Sequence, residues 1–354
     1  MQASGSEFMT DDLTFVTGAT GFLGSRVVRH LLKRGDRVRI LARNSSRKSN
    51  IENFGCEIVI GDLKDIMSLT RCVQGCRTIY HVAADYRLWA KDPQEIYDSN
   101  VAGTRNLLSA CCEAGVEKVV YTSTVGTIGM RRDGIPADEN SPVSLDDMIG
   151  HYKRSKFMAE QVAMEFAISG LPVVIVNPTT PVGAGDIKPT PTGRIILDFI
   201  RGRLPAYVDT GLNLVNVDDV AQGHLLAEEK GRVGERYLLG GENWSLEEIL
   251  ETLAKICGKR MPRVRIPWIV AWLAAYADQT VMGAILGREP LIPLDGVKMA
   301  RYKMYVSSEK ARKELGYNPT PVDQALREAV EYFRHEWQPD SAEDRVSNLR
   351  IKAV

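Results

Sequence analysis

A tyrosine and a lysine in the stretch HYKRSK, Tyr152 and Lys156, are spaced for proton transfer. Residues four apart lie on one face of a helix, so a helical stretch would make the two side chains neighbours. A free phenol is a poor base near neutral pH, but an adjacent ammonium favours the phenolate and lowers the pKa of the tyrosine. Such a pair can exchange a proton with an alcohol oxygen, although a half-buried ring beside a solvated lysine has the same spacing.

A hydroxyl that could join this pair lies in YTST, residues 121–124, at the end of an apolar run. Either Ser123 or Thr124 supplies it. Ligands of open α/β sheets bind beyond the carboxyl ends of the strands, so we expect this hydroxyl beside the cleft that Tyr152 and Lys156 face. The three side chains together predict chemistry on an alcohol or a ketone.

The stretch VTGATGFLG, residues 16–24, places three glycines at three-residue spacing between a strand-like and a helix-like run. Gly18 permits a tight turn, Gly21 lets the backbone approach a pyrophosphate, and Gly24 lets the helix pack closely on the sheet. The helix N-terminus then offers N–H groups and its dipole to the phosphates. This context predicts a dinucleotide site. No Gly-Lys-Ser/Thr follows, which disfavours ATP or GTP.

The cofactor preference is predicted from the residue after the second strand, where the sequence reads LARNSSRK. NAD-binding folds usually place a carboxylate there, which accepts hydrogen bonds from the ribose. This chain has Arg43, with Arg47 and Lys48 close by, and a guanidinium pairs well with the 2′-phosphate of NADP. We therefore expect NADP(H) rather than NAD(H). An Arg43 that is solvated, or stacked on the adenine, would leave the preference open.

Two more strand ends supply side chains to the expected cofactor cleft. Asp62, after the third strand, could accept from the adenine amino group, with Leu63 against the ring. Aspartate after a strand is also ordinary turn chemistry. Ala83 and Ala84, after the fourth strand, are small enough to leave room for a cofactor.

A parallel sheet is needed to bring these residues together, and the first half of the chain alternates apolar with amphipathic runs. Strand-like runs cover residues 13–17, 37–41, 57–60, 78–82, 118–122 and 172–176, and helix-like stretches include 23–34, 95–114 and 151–168. Apolar strands separated by helices indicate a parallel sheet covered on both faces. The predicted fold is α/β: a Rossmann doubly wound parallel sheet with a smaller, mixed α/β C-terminal lobe that binds substrate.

The predicted boundary between the two parts is Pro178, after which proline and glycine become dense. We expect a vector-derived leader at residues 1–8, the NAD(P)-binding domain at 9–178, a largely substrate-binding lobe at 179–337 and a polar tail at 338–354. Predicted elements of the second part are helices at 194–203, 245–257, 268–286 and 321–337 and a strand at 236–239.

Composition argues against several classes of protein. The chain of 354 residues has 45 basic and 45 acidic side chains, and this zero net charge argues against a nucleic-acid partner. Its six cysteines form no CxxC pair and have no His spacing suited to zinc, so we expect no metal. They also favour a reducing, cytoplasmic setting.

The motifs TGATGFLG, GDL, HVAA, NVAGTRNLL, YTST and YxxxK resemble those of the extended short-chain dehydrogenase/reductases. The resemblance runs from about residue 13 to residue 335. It implies that Thr124 hydrogen-bonds the substrate oxygen, that Tyr152 is the acid/base and that Lys156 grips the nicotinamide ribose. It further implies that Asn100 sits at a helix irregularity and organises a proton-relay water, and that Pro178 packs near the nicotinamide.

The predicted cofactor site combines the glycine turn, the strand ends and the residues that this resemblance implies. It comprises Gly18, Thr20, Gly21, Phe22, Leu23, Gly24, Arg43, Asp62, Leu63, Ala83, Ala84, Thr122, Tyr152, Lys156 and Pro178. The family resemblance also implies a homodimer formed through the helices at 95–114 and 151–168.

Within this family the chain is most similar to the dihydroflavonol-reductase-like branch, which shares the basic residue after the second strand. The stretches DYRLWAKDPQEIYDSNVAGTRNLL and GERYLLGGENWSLEEIL resemble the hopanoid-associated sugar epimerases of bacteria more closely still. That resemblance implies a bacterial origin and a role in hopanoid metabolism, and it leaves the reaction open.

Several reactions share this machinery. A 4,6-dehydratase would carry an Asp-Glu pair after its active-site Thr, whereas Val125 and Gly126 follow Thr124 here, so dehydration is disfavoured. An epimerase keeps NAD bound while it oxidises and re-reduces its substrate. The expected NADP preference fits better with a simple reductase or dehydrogenase. A dehydrogenase of a sterol-like alcohol is a variant of this interpretation. A non-catalytic dinucleotide-binding protein is the remaining alternative, although such proteins often lose the Tyr or the Lys.

Four aromatic or hydroxyl side chains are the candidates for binding the small-molecule substrate. Tyr86 and Trp89 follow HVAA at the mouth of the expected cleft, and Thr180 and Tyr207 belong to the second half of the chain. Each is also compatible with simple packing or a loop position.

The most apolar stretch, residues 267–287, is about the length of a membrane span, ~20 residues. Asp278 near its middle opposes spanning. Basic residues precede it, so the stretch could lie on an anionic membrane surface. We favour the simpler interpretation, a helix packed in the C-terminal lobe or at a dimer contact.

Overall fold

The computed structural model describes residues 13–131 and 134–337. The predicted leader and the predicted polar tail lie outside the described residues.

The larger core is a seven-stranded sheet in which every neighbouring pair is parallel. Its strands are β1 (Leu13–Thr17), β2 (Arg37–Ala42), β3 (Glu57–Ile60), β4 (Cys76–His81), β5 (Lys118–Thr122), β6 (Val173–Pro178) and β10 (Arg236–Leu239). The strand order is β10-β6-β5-β4-β1-β2-β3, so the direction of winding reverses beside β1. This is the predicted doubly wound sheet, and its ligand crevice lies at the carboxyl ends of β1 and β4.

Helices cover both faces of this sheet and bury two apolar clusters against it. One face carries α2 (Ile66–Val73), α4 (Gly103–Ala114) and α5 (Gly150–Ile168). The other carries α1 (Phe22–Arg34), α7 (Val217–Lys230) and α11 (Glu309–Leu315). The chain after Pro178 therefore supplies one strand and two helices to the larger core, and the two lobes do not divide at a single residue.

The smaller lobe is built on a four-stranded mixed sheet of β7 (Thr180–Val182), β9 (Gly211–Asn216), β11 (Glu242–Ser245) and β13 (Lys303–Met304). A two-stranded pair, β8 (Ala206–Tyr207) and β12 (Val264–Arg265), lies apart from it. The helices of this lobe are α6 (Pro191–Ile200), α8 (Leu246–Cys257), α9 (Trp268–Asp278), α10 (Leu294–Met299) and α12 (Val322–His335). Residues of α6, α8 and α12 bury a third apolar cluster.

Two long predicted helices are interrupted. The stretch predicted at 95–114 is a short helix α3 (Gln94–Tyr97), a π-helical segment at Asp98–Ala102 and then α4. The stretch predicted at 268–286 is α9 followed by a second π-helical segment at Gln279–Ile285. Periodicity alone could not locate these insertions, since a π turn adds one residue without changing the apolar character of the segment. Within the described residues, no helix is long and apolar enough to cross a membrane.

Candidate active site

The glycine turn carries the chain from β1 into α1 and leaves no room for a side chain at two of its glycines. Gly18 has a φ of +73°, and a Cβ there would stand 2.6 Å from the backbone nitrogen of Ala83. A Cβ on Gly24 would stand 2.1 Å from the Gly18 carbonyl oxygen. The turn therefore needs glycine for its left-handed backbone at one position and for the contact of helix and strand at another.

The N-terminus of α1 is suited to an anion. Gly21 is the N-cap residue and is exposed, and no side chain caps the helix there. The first N–H groups of a helix have no partner within it, and its first turn contains no acidic residue. Thr20, Phe22 and Leu23 surround this end and are half-buried. The residues present thus fit the pyrophosphate of a dinucleotide.

Arg43 follows β2 directly, at the same edge of the sheet as the glycine turn, because β1 and β2 are parallel neighbours. Its side chain is exposed, and its backbone N–H donates to Ser46 Oγ at 3.1 Å. A cation is therefore available at the position where the ribose end of the cofactor is expected.

The residues that follow β3 and β4 make contacts that help to hold the local fold. Asp62 Oδ1 accepts from the Lys64 N–H at 3.0 Å, which is the turn chemistry considered above. Leu63 is buried, and a Cβ on Gly103 at the start of α4 would lie 2.8 Å from its Cβ. Ala83 and Ala84 are half-buried beside the Gly18 turn. Their roles toward adenine and nicotinamide stay predictions.

Tyr152 and Thr124 meet at the carboxyl end of β5. Tyr152 lies in the first turn of α5, and Thr124 begins a 3-10 turn just beyond β5. Thr124 Oγ1 accepts from the Gly126 N–H at 3.1 Å, and the Thr124 side chain lies near enough to the Tyr152 phenol to lower the pKa of that phenol against the effect of burial. The structure therefore brings together the two hydroxyl groups that sequence analysis selected.

Lys156 is 2% exposed and spans the space between α5 and β5. Its Nζ donates to the Thr122 carbonyl oxygen at 2.8 Å and to the Tyr121 Oη at 3.0 Å. The same atom lies 4.7 Å from the centre of the Tyr121 ring. The ammonium is thus held at the carboxyl edge of the sheet, one helical turn from Tyr152.

One electrostatic expectation is wrong for this structure. Burial raises the pKa of the Tyr152 phenol, and the neighbouring Thr124 side chain offsets this only in part. We expected Lys156 to lower the pKa of Tyr152, but the Lys156 ammonium is engaged by Tyr121 and the Thr122 carbonyl. Burial also lowers the pKa of Lys156 to about 8, against the attraction of Glu160.

Asn100 occupies the π-helical segment, so the predicted helix irregularity is present. The Asn100 side chain is buried; its Oδ1 accepts from the Asp85 N–H at 2.7 Å, and its Nδ2 donates to the Asp85 carbonyl at 2.9 Å. Nδ2 also donates to Ser155 Oγ at 2.9 Å. Asn100 therefore ties the loop after β4 to the helix that carries Tyr152 and Lys156. Its part in a proton relay stays a prediction.

A buried chain of hydrogen bonds links β1 to the same region. Thr104 Oγ1 donates its proton to the Asn100 carbonyl at 2.6 Å, so it accepts from His81 Nε2, 3.0 Å away. His81 Nδ1 then faces Thr17 Oγ1 at 2.8 Å as an acceptor. Burial and the nearby Lys156 ammonium lower the pKa of His81 to about 3, which keeps the imidazole neutral.

A second buried network of hydrogen bonds holds the loop that carries Thr124. Asn177 Nδ2 donates to the Thr124 carbonyl at 3.2 Å and to Glu160 Oε2 at 2.8 Å. Thr127 Oγ1 also donates to Glu160 Oε2, at 2.8 Å. Arg236 from β10 pairs with the other oxygen of that carboxylate at 3.2 Å. The loop that carries Thr124 is therefore fixed from α5 and from two strands.

Sequence analysis missed Tyr121, His81 and Glu160, although the first two lie inside motifs it used. Alternate residues of a strand face opposite sides of a sheet. Thr122 Oγ1 faces His224 of α7 at 2.9 Å, so Tyr121 must face α5 and Lys156. Strand alternation could have identified Tyr121. The Thr122 side chain, predicted to bind cofactor, is engaged by His224, and its carbonyl is the group that holds Lys156.

The predicted substrate residues separate into two groups. Tyr86 is 44% exposed in the loop that follows β4, and Trp89 is half-buried in the same loop. Thr180 begins β7, just beyond the carboxyl edge of the main sheet, where Pro178, predicted to bind cofactor, ends β6. Tyr207 belongs to the smaller lobe, where its phenol donates to Glu247 Oε1 at 2.9 Å and its ring packs on that lobe's core.

Comparison with known proteins agrees with this arrangement. The sequence profile of the NAD dependent epimerase/dehydratase family matches residues 14–240. The chain belongs to this family of extended short-chain dehydrogenase/reductases. As a member, it is an enzyme of oxidoreductase chemistry that uses a nicotinamide dinucleotide. Within the described residues, no group of three His, Cys, Asp or Glu side chains could hold a metal ion.

Two relatives match this extended short-chain dehydrogenase/reductase over nearly its full length. It is 49% identical over 328 residues to the Synechocystis sp. protein named "Putative dihydroflavonol 4-reductase", covering 92% of this chain and 95% of that protein. It is 37% identical over 322 residues to sterol demethylase protein B of Methylococcus capsulatus, covering 91% and 98%. The predicted dihydroflavonol-reductase-like branch is confirmed. The closer resemblance to the hopanoid-associated epimerases stays a prediction.

Two solved structures share the fold of this family member. The crystal structure of gox2253 matches it with a TM-score of 0.83 and 47% identity, over 92% of this chain and all of the other. PA4631, a nucleoside-diphosphate-sugar epimerase from Pseudomonas aeruginosa, matches with a TM-score of 0.77 and 27% identity, over 91% and 97%.

Proposed function

We propose that the protein is an NADP(H)-dependent oxidoreductase that transfers a hydride to or from the carbon of a secondary alcohol or ketone. The observation that carries the proposal is the meeting of Tyr152, Thr124 and Lys156 at the carboxyl end of β5, beside the glycine turn. A bound nicotinamide would supply the hydride acceptor or donor. The protein itself supplies the proton and the geometry.

Each of the three side chains has a separate task in this proposal. Thr124 orients the substrate oxygen by a hydrogen bond, and Tyr152 gives that oxygen a proton or takes one from it. Lys156, held at the carboxyl edge of the sheet by Tyr121 and the Thr122 carbonyl, would hold a ribose hydroxyl of the bound cofactor. Asn100 positions this helix against the loop after β4.

The preference for NADP rests on Arg43. Its exposed guanidinium follows β2 at the edge of the sheet where the ribose of a dinucleotide on the glycine turn would lie. A carboxylate at that place would repel a 2′-phosphate, whereas a guanidinium can pair with it bidentately.

The proposed substrate is apolar and polycyclic, sterol- or hopanoid-like, or carries a sugar. Two relatives are named for reactions of a flavonoid and of a sterol, which supports a bulky substrate with an oxygen on a ring carbon. Tyr86 and Trp89, in the loop beyond β4, would contact such a ring system at the mouth of the cleft.

Epimerisation of a sugar, with NAD retained throughout, is the second candidate. It is favoured by the 27% identity to a nucleoside-diphosphate-sugar epimerase over nearly the whole chain. The two functions differ in what must happen to the cofactor, because a reductase exchanges it at every turnover and an epimerase regenerates it in place.

The test is to denature freshly purified protein and identify any released dinucleotide. A protein that releases little cofactor and then binds added NADPH more tightly than NADH supports the reductase. Stoichiometric release of NAD⁺ would contradict it and support the epimerase. Dinucleotide binding with no turnover on any panel of alcohols and ketones would contradict both.

A further inference from the structure

A wide apolar surface of the smaller lobe faces solvent. It is formed by α9, the π-helical segment after it and the following loop, and we call it the α9 face. Its large side chains are 42–71% exposed: Ile269, Val270, Leu273, Tyr276, Val281, Ile285, Leu286, Leu291 and Ile292. Within α9, Ile269, Leu273 and Tyr276 recur at spacings of four and three residues, so they line one side of the helix.

The opposite side of the same helix is apolar as well. Trp268 donates from Nε1 to the Val297 carbonyl at 2.7 Å, Ala275 is fully buried, and Trp272 is half-buried. A helix at the surface normally turns polar side chains to water, and a helix that is apolar all round is normally covered on every side. An exposed apolar surface of this extent is characteristic of an interaction site.

The segment that carries the α9 face has an excess of positive charge. Residues 257–303 contain eight basic and three acidic side chains, in a chain whose formal net charge is zero. Lys259, Arg260 and Arg263 precede α9 and are exposed. Arg301 lies 5.1 Å above the Trp268 ring, and with Lys303 it lines an open cavity of about 660 Å³. Some of these charges are paired, as Lys303 is with Asp209, but the excess remains positive.

The α9 face adjoins the mouth of the candidate active site. A Cβ on Gly283, in the π-helical segment, would lie 3.3 Å from Trp89 Nε1. Asp295 of α10 fills the space beside Gly150, the first residue of the helix that carries Tyr152. The surface and the cleft are therefore neighbours.

We propose that the α9 face docks on the surface of an anionic lipid bilayer. The apolar side chains enter the boundary between headgroups and acyl chains, and the basic residues contact the anionic headgroups. A second copy of the chain fits less well, because a twofold contact sets the same patch against itself and brings together two segments of net positive charge. An apolar substrate would then reach the cleft from the bilayer. That last step rests on the proposed function, whereas docking does not.

The test is co-sedimentation with vesicles of phosphatidylglycerol mixed with phosphatidylcholine, and with vesicles of phosphatidylcholine alone. The intact protein should bind the anionic vesicles preferentially and release in high salt. Two double variants test the two contributions to binding separately. Leu273→Ser with Ile285→Ser removes apolar side chains that would insert, and Arg260→Glu with Arg263→Glu reverses charges that would contact the headgroups. Each should lower the partition coefficient by about tenfold or more, since one basic residue near such a surface contributes roughly fivefold.

Matched controls change the same residue types elsewhere. Ile168→Ser replaces a side chain that is 84% exposed at the end of α5, and Arg71→Glu reverses an exposed charge on α2. Both should bind vesicles like the parent, and thermal melting should show all variants to be folded.

No binding of the intact protein to anionic vesicles, or equal losses in the controls, would overturn the proposal. So would a dimer that the Leu273→Ser, Ile285→Ser variant dissociates. Because vesicle binding needs no turnover, its failure is distinguishable from failure of the proposed reaction.

Discussion

The ammonium of Lys156 and the phenol of Tyr121 form a buried hydrogen bond, with Nζ and Oη 3.0 Å apart. Tyr121 is therefore a positioning residue for Lys156.

In Tyr121→Phe the ammonium loses an acceptor, and hydrogen bonds to charged groups contribute about 1.5–3 kcal/mol. We expect kcat to fall about tenfold or more. Burial already lowers the pKa of Lys156 to about 8, and loss of the acceptor should lower it further. The alkaline limb of the pH–rate profile should therefore move to lower pH.

Tyr80→Phe is the matched control for Tyr121. Tyr80 is equally buried on the neighbouring strand β4, but its hydroxyl donates to Glu228 of α7 at 3.4 Å, on the other face of the sheet. Loss of the Tyr80 hydroxyl should leave kcat and the pH profile unchanged. A parallel shift of the alkaline limb in both variants would assign the effect to general destabilisation rather than to Lys156.

Tyr152→Phe removes the proposed proton donor and acceptor while keeping the ring. We expect turnover to fall by at least about a hundredfold, because general acid–base catalysis typically contributes that much. Dinucleotide binding, measured by fluorescence titration, should persist, since the glycine turn and Lys156 are intact. Turnover close to that of the parent would show that another group moves the proton.

Arg43→Asp tests the proposed cofactor preference. The parent should bind NADPH more tightly than NADH, and the variant should lose NADPH affinity by at least about tenfold, because a carboxylate repels the 2′-phosphate. Calorimetric titration with both cofactors measures the change. Arg37→Asp is the control, since Arg37 lies at the amino end of the same strand and at the opposite edge of the sheet. Tighter NADH than NADPH binding by the parent would contradict the preference.

The main sheet and the glycine turn follow from local sequence. Leu13–Thr17 and Lys118–Thr122 were predicted to the residue, because apolar strands between helices give a strong and local pattern. Gly18 and Gly24 were assigned for their turn and packing roles, and contacts with Ala83 and within the turn provide the physical reason. These features depend on neighbours along the chain or on one adjacent strand.

The environment of the catalytic pair could not be predicted in the same way. The raised pKa of Tyr152 comes from burial, which depends on how the whole chain packs around the phenol. The spacing of Tyr152 and Lys156 along the sequence carries no information about that packing. The partner of Lys156 depends on which face of β5 Tyr121 occupies. The return of β10 to the main sheet likewise depends on long-range pairing with β6, which no local pattern specifies.

Acid stability should depend on His224, which is buried between α7 and β5. Burial lowers the pKa of His224 to about 4, against its hydrogen bond to the Val220 carbonyl. The unfolded chain binds this proton below about pH 6.5, so folding stability is lost as the pH falls from there toward 4, by up to about 1.4 kcal/mol per pH unit. His224→Gln should lower folding stability at pH 7 through lost packing. On acidification from about pH 6.5 to 4, however, the variant should lose less folding stability than the parent. Denaturant unfolding at several pH values measures both slopes. His335→Gln, at an exposed site ending α12, is the control, and an equally shallow slope there would contradict the assignment to burial.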